Sequence, residues 1–192
     1  TSRGQHHVIV ANVDQLLIVT SAAEPDLKPN LVDRMIVSAE KAHIQPVICI
    51  NKIDLVDSSE LQPLVGSYCQ LGYQVLLLSA ETGRGCQQLT HLLTHRETVL
   101  VGQSGVGKSS LLNRVAPELE RKVNEVSQDT QKGKHTTTAA QLLRLPSGGY
   151  VVDTPGIRQF QLWDVIPEEV SGFYRDLRTV VNQCQFPDCT HT

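Results

Sequence analysis

Apolar and polar positions along this chain follow two rhythms. Residues 16–20 form a continuous apolar run ending in threonine, the pattern of a strand buried on both faces. Leu31, Val32, Met35, Ile36 and Ala39 then recur at helical spacing, leaving Asp33, Arg34, Glu40 and Lys41 for the wet side. A second strand is predicted at 46–50. Asp57 and Glu60 resemble a capping pair ahead of Leu61 and Leu64, so a helix starts near Ser58. A strand at 73–78, a helix around 87–94 and a strand at 98–101 follow. Residues 102–108 read as a glycine loop opening the helix 109–116. Residues 122–135 have no apolar period and read as a mobile loop. Residues 141–145 and 150–152 pair as a hairpin around Pro146-Ser147-Gly148-Gly149. Pro167, Glu168 and Glu169 suit the first turn of a last helix, with the apolar stripe Val170, Phe173, Tyr174, Leu177 and Val181. Strands alternating with helices predict an α/β fold, a mostly parallel sheet with helices on both faces.

Composition narrows this picture. The chain has 192 residues, 40% of them apolar, enough for one good core and an appendage. A net charge of −3 gives no broad basic field, so this segment alone is poorly suited to wrapping nucleic acid. No apolar run approaches membrane-spanning length and nothing at the start resembles a signal peptide, so no membrane partner is expected. The five cysteines are unevenly spaced, which argues against a disulfide scaffold and for a reducing, cytoplasmic setting. Cys49 lies in a predicted strand and reads as a small core residue rather than a nucleophile. His43, His91 and His95 lie near helix ends, where a surface position is usual.

The glycine loop carries the chemistry. Gly102-Gln103-Ser104-Gly105-Val106-Gly107-Lys108-Ser109, followed by Ser110, completes a phosphate-loop pattern between a predicted strand and a predicted helix. Backbone N–H groups freed by the glycines can turn toward phosphate oxygens, and the helix offers its positive end to the same anion. Lys108 reaches the β- and γ-phosphates, where it supports catalysis, and Ser109 ligates Mg²⁺. Asn51-Lys52-Ile53-Asp54 follows the second strand. Asp54 is an acceptor-only carboxylate suited to the two donors of a guanine edge, whereas adenine would leave it facing an unpaired acceptor. Asn51 is expected to hold the loop and the base edge, and the Lys52 stem to cover the base face. Ser79-Ala80 fits the second base-contacting loop, through the Ala80 N–H. Asp153-Thr154-Pro155-Gly156 ends a strand, with Asp153 reaching Mg²⁺ through water and the Gly156 N–H bonding the γ-phosphate. In Gly133-Lys134-His135-Thr136-Thr137-Thr138 one threonine, Thr137 ahead of Thr136, is expected to ligate Mg²⁺ when the γ-phosphate is present.

The order of these motifs is rotated. A Ras-like GTPase runs phosphate loop, switch threonine, Asp-x-x-Gly, Asn-Lys-x-Asp, Ser-Ala. This chain begins with the base motif and ends with the second switch. Neighbouring termini let a compact domain tolerate such permutation. The glutamine that follows Asp-x-x-Gly in Ras-type enzymes is replaced by Ile157, with Arg158 and Gln159 at a different offset, so slow intrinsic hydrolysis is expected.

In this rotated order, together with Ala11-Asn12-Val13-Asp14-Gln15, the histidine before the threonines and the run from Cys184 to His191, the whole chain resembles the circularly permuted RsgA (YjeQ or YloQ) GTPases of small ribosomal subunit maturation. The resemblance implies a P-loop NTPase (Ras-like GTPase) domain flanked by an N-terminal RNA-binding OB-fold and a C-terminal zinc domain. Residues 1–7 are then a linker, 8–160 the permuted GTPase domain, and 161–192 the truncated start of a helical zinc-binding element. The OB-fold is expected to be missing. Implied ligands are GTP or GDP, Mg²⁺ and one Zn²⁺ per intact protein. The implied partner is the small (30S) ribosomal subunit with its rRNA, met by a monomer. Cys184, Cys189 and His191 are three zinc-type ligands, the family's fourth being absent; their spacing alone leaves zinc or plain thiols open. The resemblance also implies that His135 positions or activates water; a loop residue that only packs or contacts RNA is the other reading. Two competing functions are a permuted GTPase of the large subunit and a non-hydrolysing nucleotide-gated binding module. Phe160 and Trp163 are expected to pack the terminal helix.

Overall fold

In the computed structural model, the structure describes residues 13–118, 141–153 and 169–183. Six strands form one sheet in the order β3-β2-β1-β4-β6-β5. They are β1 (Gln15–Ser21), β2 (Gln45–Asn51), β3 (Gln74–Leu77), β4 (Glu97–Val101), β5 (Gln141–Arg144) and β6 (Tyr150–Asp153). All neighbours pair in parallel except β5, which is antiparallel to β6 at one edge. The α/β reading therefore holds, with every strand end within one residue of expectation.

The alternation of side chains explains the layers. From β1, Leu16 and Ile18 face a core that holds Val32, Met35, Ile36 and Ala39 of α1 (Pro29–Lys41) and Leu61 and Tyr68 of α2 (Ser58–Gln70). Leu17 and Val19 face the opposite core, with Leu89 and Leu93 of α3 (Cys86–Leu93) and Leu111 and Leu112 of α4 (Lys108–Val115). All seven β1 residues are buried, as an interior parallel strand requires. Pro29 opens α1, and Asp57 caps α2 by accepting from the Ser59 N–H at 2.9 Å. That bond holds the Asp57 carboxyl below its ordinary range. Cys49 is fully buried, and burial pushes its thiol far above the ordinary range, which fits a core role. His43, His91 and His95 are exposed, as expected.

The long last helix expected from the stripe Val170 to Val181 does not form. A four-residue helix, α5 (Val170–Phe173), stops at Tyr174, whose backbone is extended. Turns follow, with a short 3-10 helix at Val181–Gln183, and Leu177 is left exposed. The periodic stripe lost to a specific anchor. Arg175 lies over the Tyr73 ring at 4.1 Å, donates from Nε to the Glu40 carboxylate at 2.7 Å and from Nη1 to the Gly72 carbonyl at 2.6 Å. Arg178 adds a 3.7 Å contact to Glu40, and Lys41 pairs with Glu169 at 3.3 Å. Burial and the Glu40 carboxylate push the Tyr73 phenol up to about 12. Leaving the helix at Tyr174 turns Arg175 onto the end of α1 and the turn before β3, and a charge-assisted cluster of this kind outweighs a few frayed helical bonds. Residues 122–135, Phe160 and Trp163, read above as a mobile loop and as packing for the last helix, lie outside the described residues.

Arg175→Ala should destabilise the folded chain by about 1–3 kcal/mol, from the lost cation–π contact and charge-assisted hydrogen bonds. Urea unfolding monitored by circular dichroism checks this, and the cleavage sites in limited proteolysis should shift to residues 169–183.

Candidate nucleotide site

Parallel strands place their C-terminal ends on one edge of the sheet, where ligands of open α/β folds bind. Here β4 ends at Val101 and passes into the phosphate loop, β2 ends at Asn51 and passes into Lys52-Ile53-Asp54, and β1 ends between them at Ser21. Asn51 sits opposite Ser21 in the ladder. The Ser79-Ala80 pair leaves β3 at the same edge, bonded back to the base turn through Leu78 N–H to Ile50 O at 2.8 Å and Ile53 N–H to Leu78 O at 3.2 Å.

Asn51 joins the three loops. Only 1% of its surface is exposed. Its Nδ2 donates to the Val106 carbonyl in the phosphate loop at 2.9 Å, and its Oδ1 accepts from the Ala80 N–H at 3.1 Å. Asn51 therefore ties the turn after β2 to both neighbouring loops. The Ala80 N–H, expected to face the base, is directed at Asn51 instead; the two roles compete for one donor. Ser79 is buried, its Oγ accepting from Thr82 N–H at 3.0 Å and its carbonyl from Gly83 N–H at 2.9 Å, so it shapes the loop rather than lining it.

Two glycines of the phosphate loop are required by close approach. Gly107 has φ +93, and a Cβ there would stand 2.3 Å from Asn51 Nδ2. Gly102 has φ +151, and a Cβ would meet the Val19 carbonyl at 2.1 Å. A cradle that any side chain would fill is what backbone recognition of phosphate needs. Val106 is buried and anchors the loop, whereas Ser104, Gly105, Ser109 and Ser110 are exposed around it and Gln103 is half-buried. Lys108 opens α4 and donates from Nζ to the carbonyls of Gly102 and Gln103 at 2.7 and 2.9 Å, so its ammonium lies across the mouth of the loop. Asp54 is exposed in the 3-10 turn Ile53–Leu55. Lys52 adopts a left-handed backbone at φ +61, which turns the chain from β2 into that turn. Its Nζ donates to the Glu24 carbonyl, a contact that no sequence pattern announced.

Asp153 ends β6, and Val152 before it pairs with Val99 of β4, so the chain leaves β6 beside the strand that leads into the phosphate loop. His135, Thr136, Thr137, Gly156, Cys184, Cys189 and His191 lie outside the described residues. Among the described residues no group of three His, Cys, Asp or Glu side chains is arranged to hold a metal. A cavity of about 490 Å³ lined by His95, Glu118, Arg144 and Pro146 belongs to the other edge of the sheet, before β4 and at the β5–β6 turn, far from this chemistry.

The phosphate loop after the fourth strand and the base motif after the second, on one edge of this sheet, are a Ras-like arrangement read from a different starting point. Comparison with known proteins gives the family. The sequence model of the RsgA GTPase family matches residues 1–163. This chain belongs to the RsgA GTPase family. It is 43% identical over 187 residues to the small ribosomal subunit biogenesis GTPase RsgA of Actinobacillus succinogenes, covering 96% of this chain and 53% of that protein. It is 45% identical over 188 residues to the RsgA of Photorhabdus laumondii subsp. laumondii, covering 95% and 53%. The chain thus spans about half the length of the curated relatives it matches. Among solved structures it resembles YjeQ from Thermotoga maritima, with TM-score 0.77, 37% identity and coverage of 95% of this chain and 61% of that one. It also resembles YloQ, a circularly permuted GTPase, with TM-score 0.73, 34% identity and coverage of 94% and 57%. The RsgA-family chain is therefore a circularly permuted member of the GTPase fold.

Sequence reasoning missed the carbonyl of Val106 as the partner of Asn51, and the loop after β1 as a neighbour of Lys52. Backbone acceptors have no residue signature, so only the Asn51 motif itself hinted at the first.

Asn51→Ala would leave the buried Val106 carbonyl and the Ala80 N–H without their partner. We expect a loss of about 1–3 kcal/mol in stability, read by thermal unfolding. We also expect GDP affinity to fall at least about tenfold, read by calorimetric titration.

Proposed function

We propose that this chain is the guanine-nucleotide-binding and GTP-hydrolysing part of a factor for late maturation of the small (30S) ribosomal subunit. The observation that carries the reading is the Asn51 carboxamide, which ties the phosphate loop to both base-side loops on one sheet edge. The names of the relatives support the ribosomal assignment, as small ribosomal subunit biogenesis GTPases.

Asp54 accepts from the guanine edge, the Lys52 stem covers the base, and residues 102–110 with Gly156 hold the phosphates. Lys108 neutralises charge on the β- and γ-phosphates. Ser109, Thr137 and Asp153 would hold Mg²⁺, which spreads the developing negative charge when bound. Hydrolysis joins a water oxygen to the γ-phosphorus and breaks the bond to the β–γ bridging oxygen. His135 orients that water and accepts its proton, since Ile157, not glutamine, directly follows Gly156. Intrinsic turnover is slow and the subunit with its rRNA accelerates it. Cys184, Cys189 and His191 contribute to a zinc site of the intact protein. The factor works as a cytoplasmic monomer.

Among the described residues no helix is long and apolar enough to cross a membrane. Ile157 favours one other reading, a nucleotide-gated binding module that does not hydrolyse.

Phosphate release from GTP, measured with small subunits, large subunits or neither, separates these readings. We expect stimulation by small subunits alone. Stimulation by large subunits alone would reassign the partner, and GTP binding without multiple turnover in any mixture would leave only the gated module. His135→Ala should bind GTP normally and lose at least about 100-fold of the stimulated rate. Asp54→Ala should erase a GDP-over-ADP preference of at least about 100-fold.

A further inference from the structure

We infer that the loop at residues 22–28 is a retention element for the guanine nucleotide, with Ser21 as the positioning residue that sets it. This rests on the guanine-nucleotide reading above and assigns a new role within that site.

Topology puts the loop where it matters. β1 lies between β2 and β4 in the sheet, so the chain leaving β1 emerges between the base turn and the phosphate loop. Three contacts fix its course. Ala22 N–H donates to the Asn51 carbonyl at 2.8 Å, extending the β1–β2 ladder by one step. The fully buried Ser21 hydroxyl donates to the Pro25 carbonyl at 2.6 Å, closing residues 21–25 into a tight loop. The Glu24 carbonyl, carried on that loop, accepts from Lys52 Nζ. On the other side the Pro25 ring lies against Gly105, where a Cβ would meet its Cδ at 3.6 Å.

On the guanine-nucleotide reading the Lys52 stem covers the base, and its ammonium is tied to the Glu24 carbonyl, one residue before the carbonyl that Ser21 bonds. An anchored lysine loses less side-chain freedom when it covers a base, which slows the departure of the nucleotide more than its arrival. Ser21 touches no nucleotide and acts through Lys52.

The test is the dissociation of mant-GDP from the chain, followed by stopped-flow fluorescence, for the wild type, Ser21→Ala, Lys52→Ala and the double variant. We expect Ser21→Ala to speed dissociation by about three- to tenfold with association unchanged, the span of one hydrogen bond. Lys52→Ala should speed it by at least as much, and Ser21→Ala should add nothing further in that background, because a residue acting through Lys52 has no path without it. A Ser21→Ala rate equal to the wild type, or multiplicative effects of the two substitutions, overturns the proposal and leaves the nucleotide reading intact. A wild-type chain that does not bind mant-GDP overturns both. If Ser21→Ala does not fold, Pro25→Gly, which keeps the carbonyl but loosens the loop, goes through the same cycle with the same expected and overturning results.

Discussion

The side chain of Asn51 is the point on which the nucleotide edge depends. A buried carboxamide has to find partners for both its donor and its acceptor. Here the donor takes a carbonyl of the phosphate loop and the acceptor takes an N–H of the third strand's exit loop. Three loops that are far apart in sequence are thereby given one geometry. The glycine at 107 follows from this contact, because the same nitrogen occupies the space that any larger residue would need. The phosphate loop and the two loops beside it are thus held in one geometry by a single amide, and a change to either neighbour is felt by the other.

Rotation of the chain leaves this edge intact because the edge is a property of strand order. β2, β1 and β4 stand side by side whichever of them the chain enters first. What rotation changes is the covalent neighbourhood. The strand that ends in Asp153 now leads on toward residues 169–183. Those residues are fastened by Arg175 to Glu40, Gly72 and Tyr73, at the C-terminal end of α1 and the entrance to β3. That is the sheet edge opposite the phosphate loop.

Much of this was legible in the sequence, and the exceptions have physical causes. The buried parallel strands were readable because an interior strand is apolar on both faces, as 16–20 and 46–50 are. The phosphate loop was readable because close backbone approach leaves few alternatives to Gly102 and Gly107, and the loop-holding part of Asn51 because a buried amide needs partners on both sides. The last helix was misread because a stripe at 3.6 spacing reports what a segment can do in isolation. Arg175, a polar residue within that stripe, instead found Glu40 135 positions earlier in the chain. The loop after β1 was missed for a related reason. Its contacts run mostly through backbone carbonyls of Glu24 and Pro25, which any residue supplies.

Two anchors bound the chain that runs from β6 to residues 169–183. One end of the intervening chain is fixed at Asp153, where β6 is hydrogen-bonded into the sheet beside the phosphate-loop strand. The other is fixed at Arg175, against α1 and the β3 entrance. β6 and β3 are separated by three strands in the sheet order, so the two fixed points differ by roughly 20 Å across the sheet as well as lying on opposite edges. The second attachment combines an ion pair of Arg175 with Glu40, its stacking on Tyr73 and a hydrogen bond to the Gly72 carbonyl, and it is partly exposed, whereas β6 is paired on both sides within the sheet. In an unpermuted GTPase the second switch is followed by further strands of the same sheet. Here the chain beyond β6 leads to a segment held on α1 and the β3 entrance by Arg175, Arg178 and the Lys41–Glu169 pair, and that is the structural consequence of the rotated order.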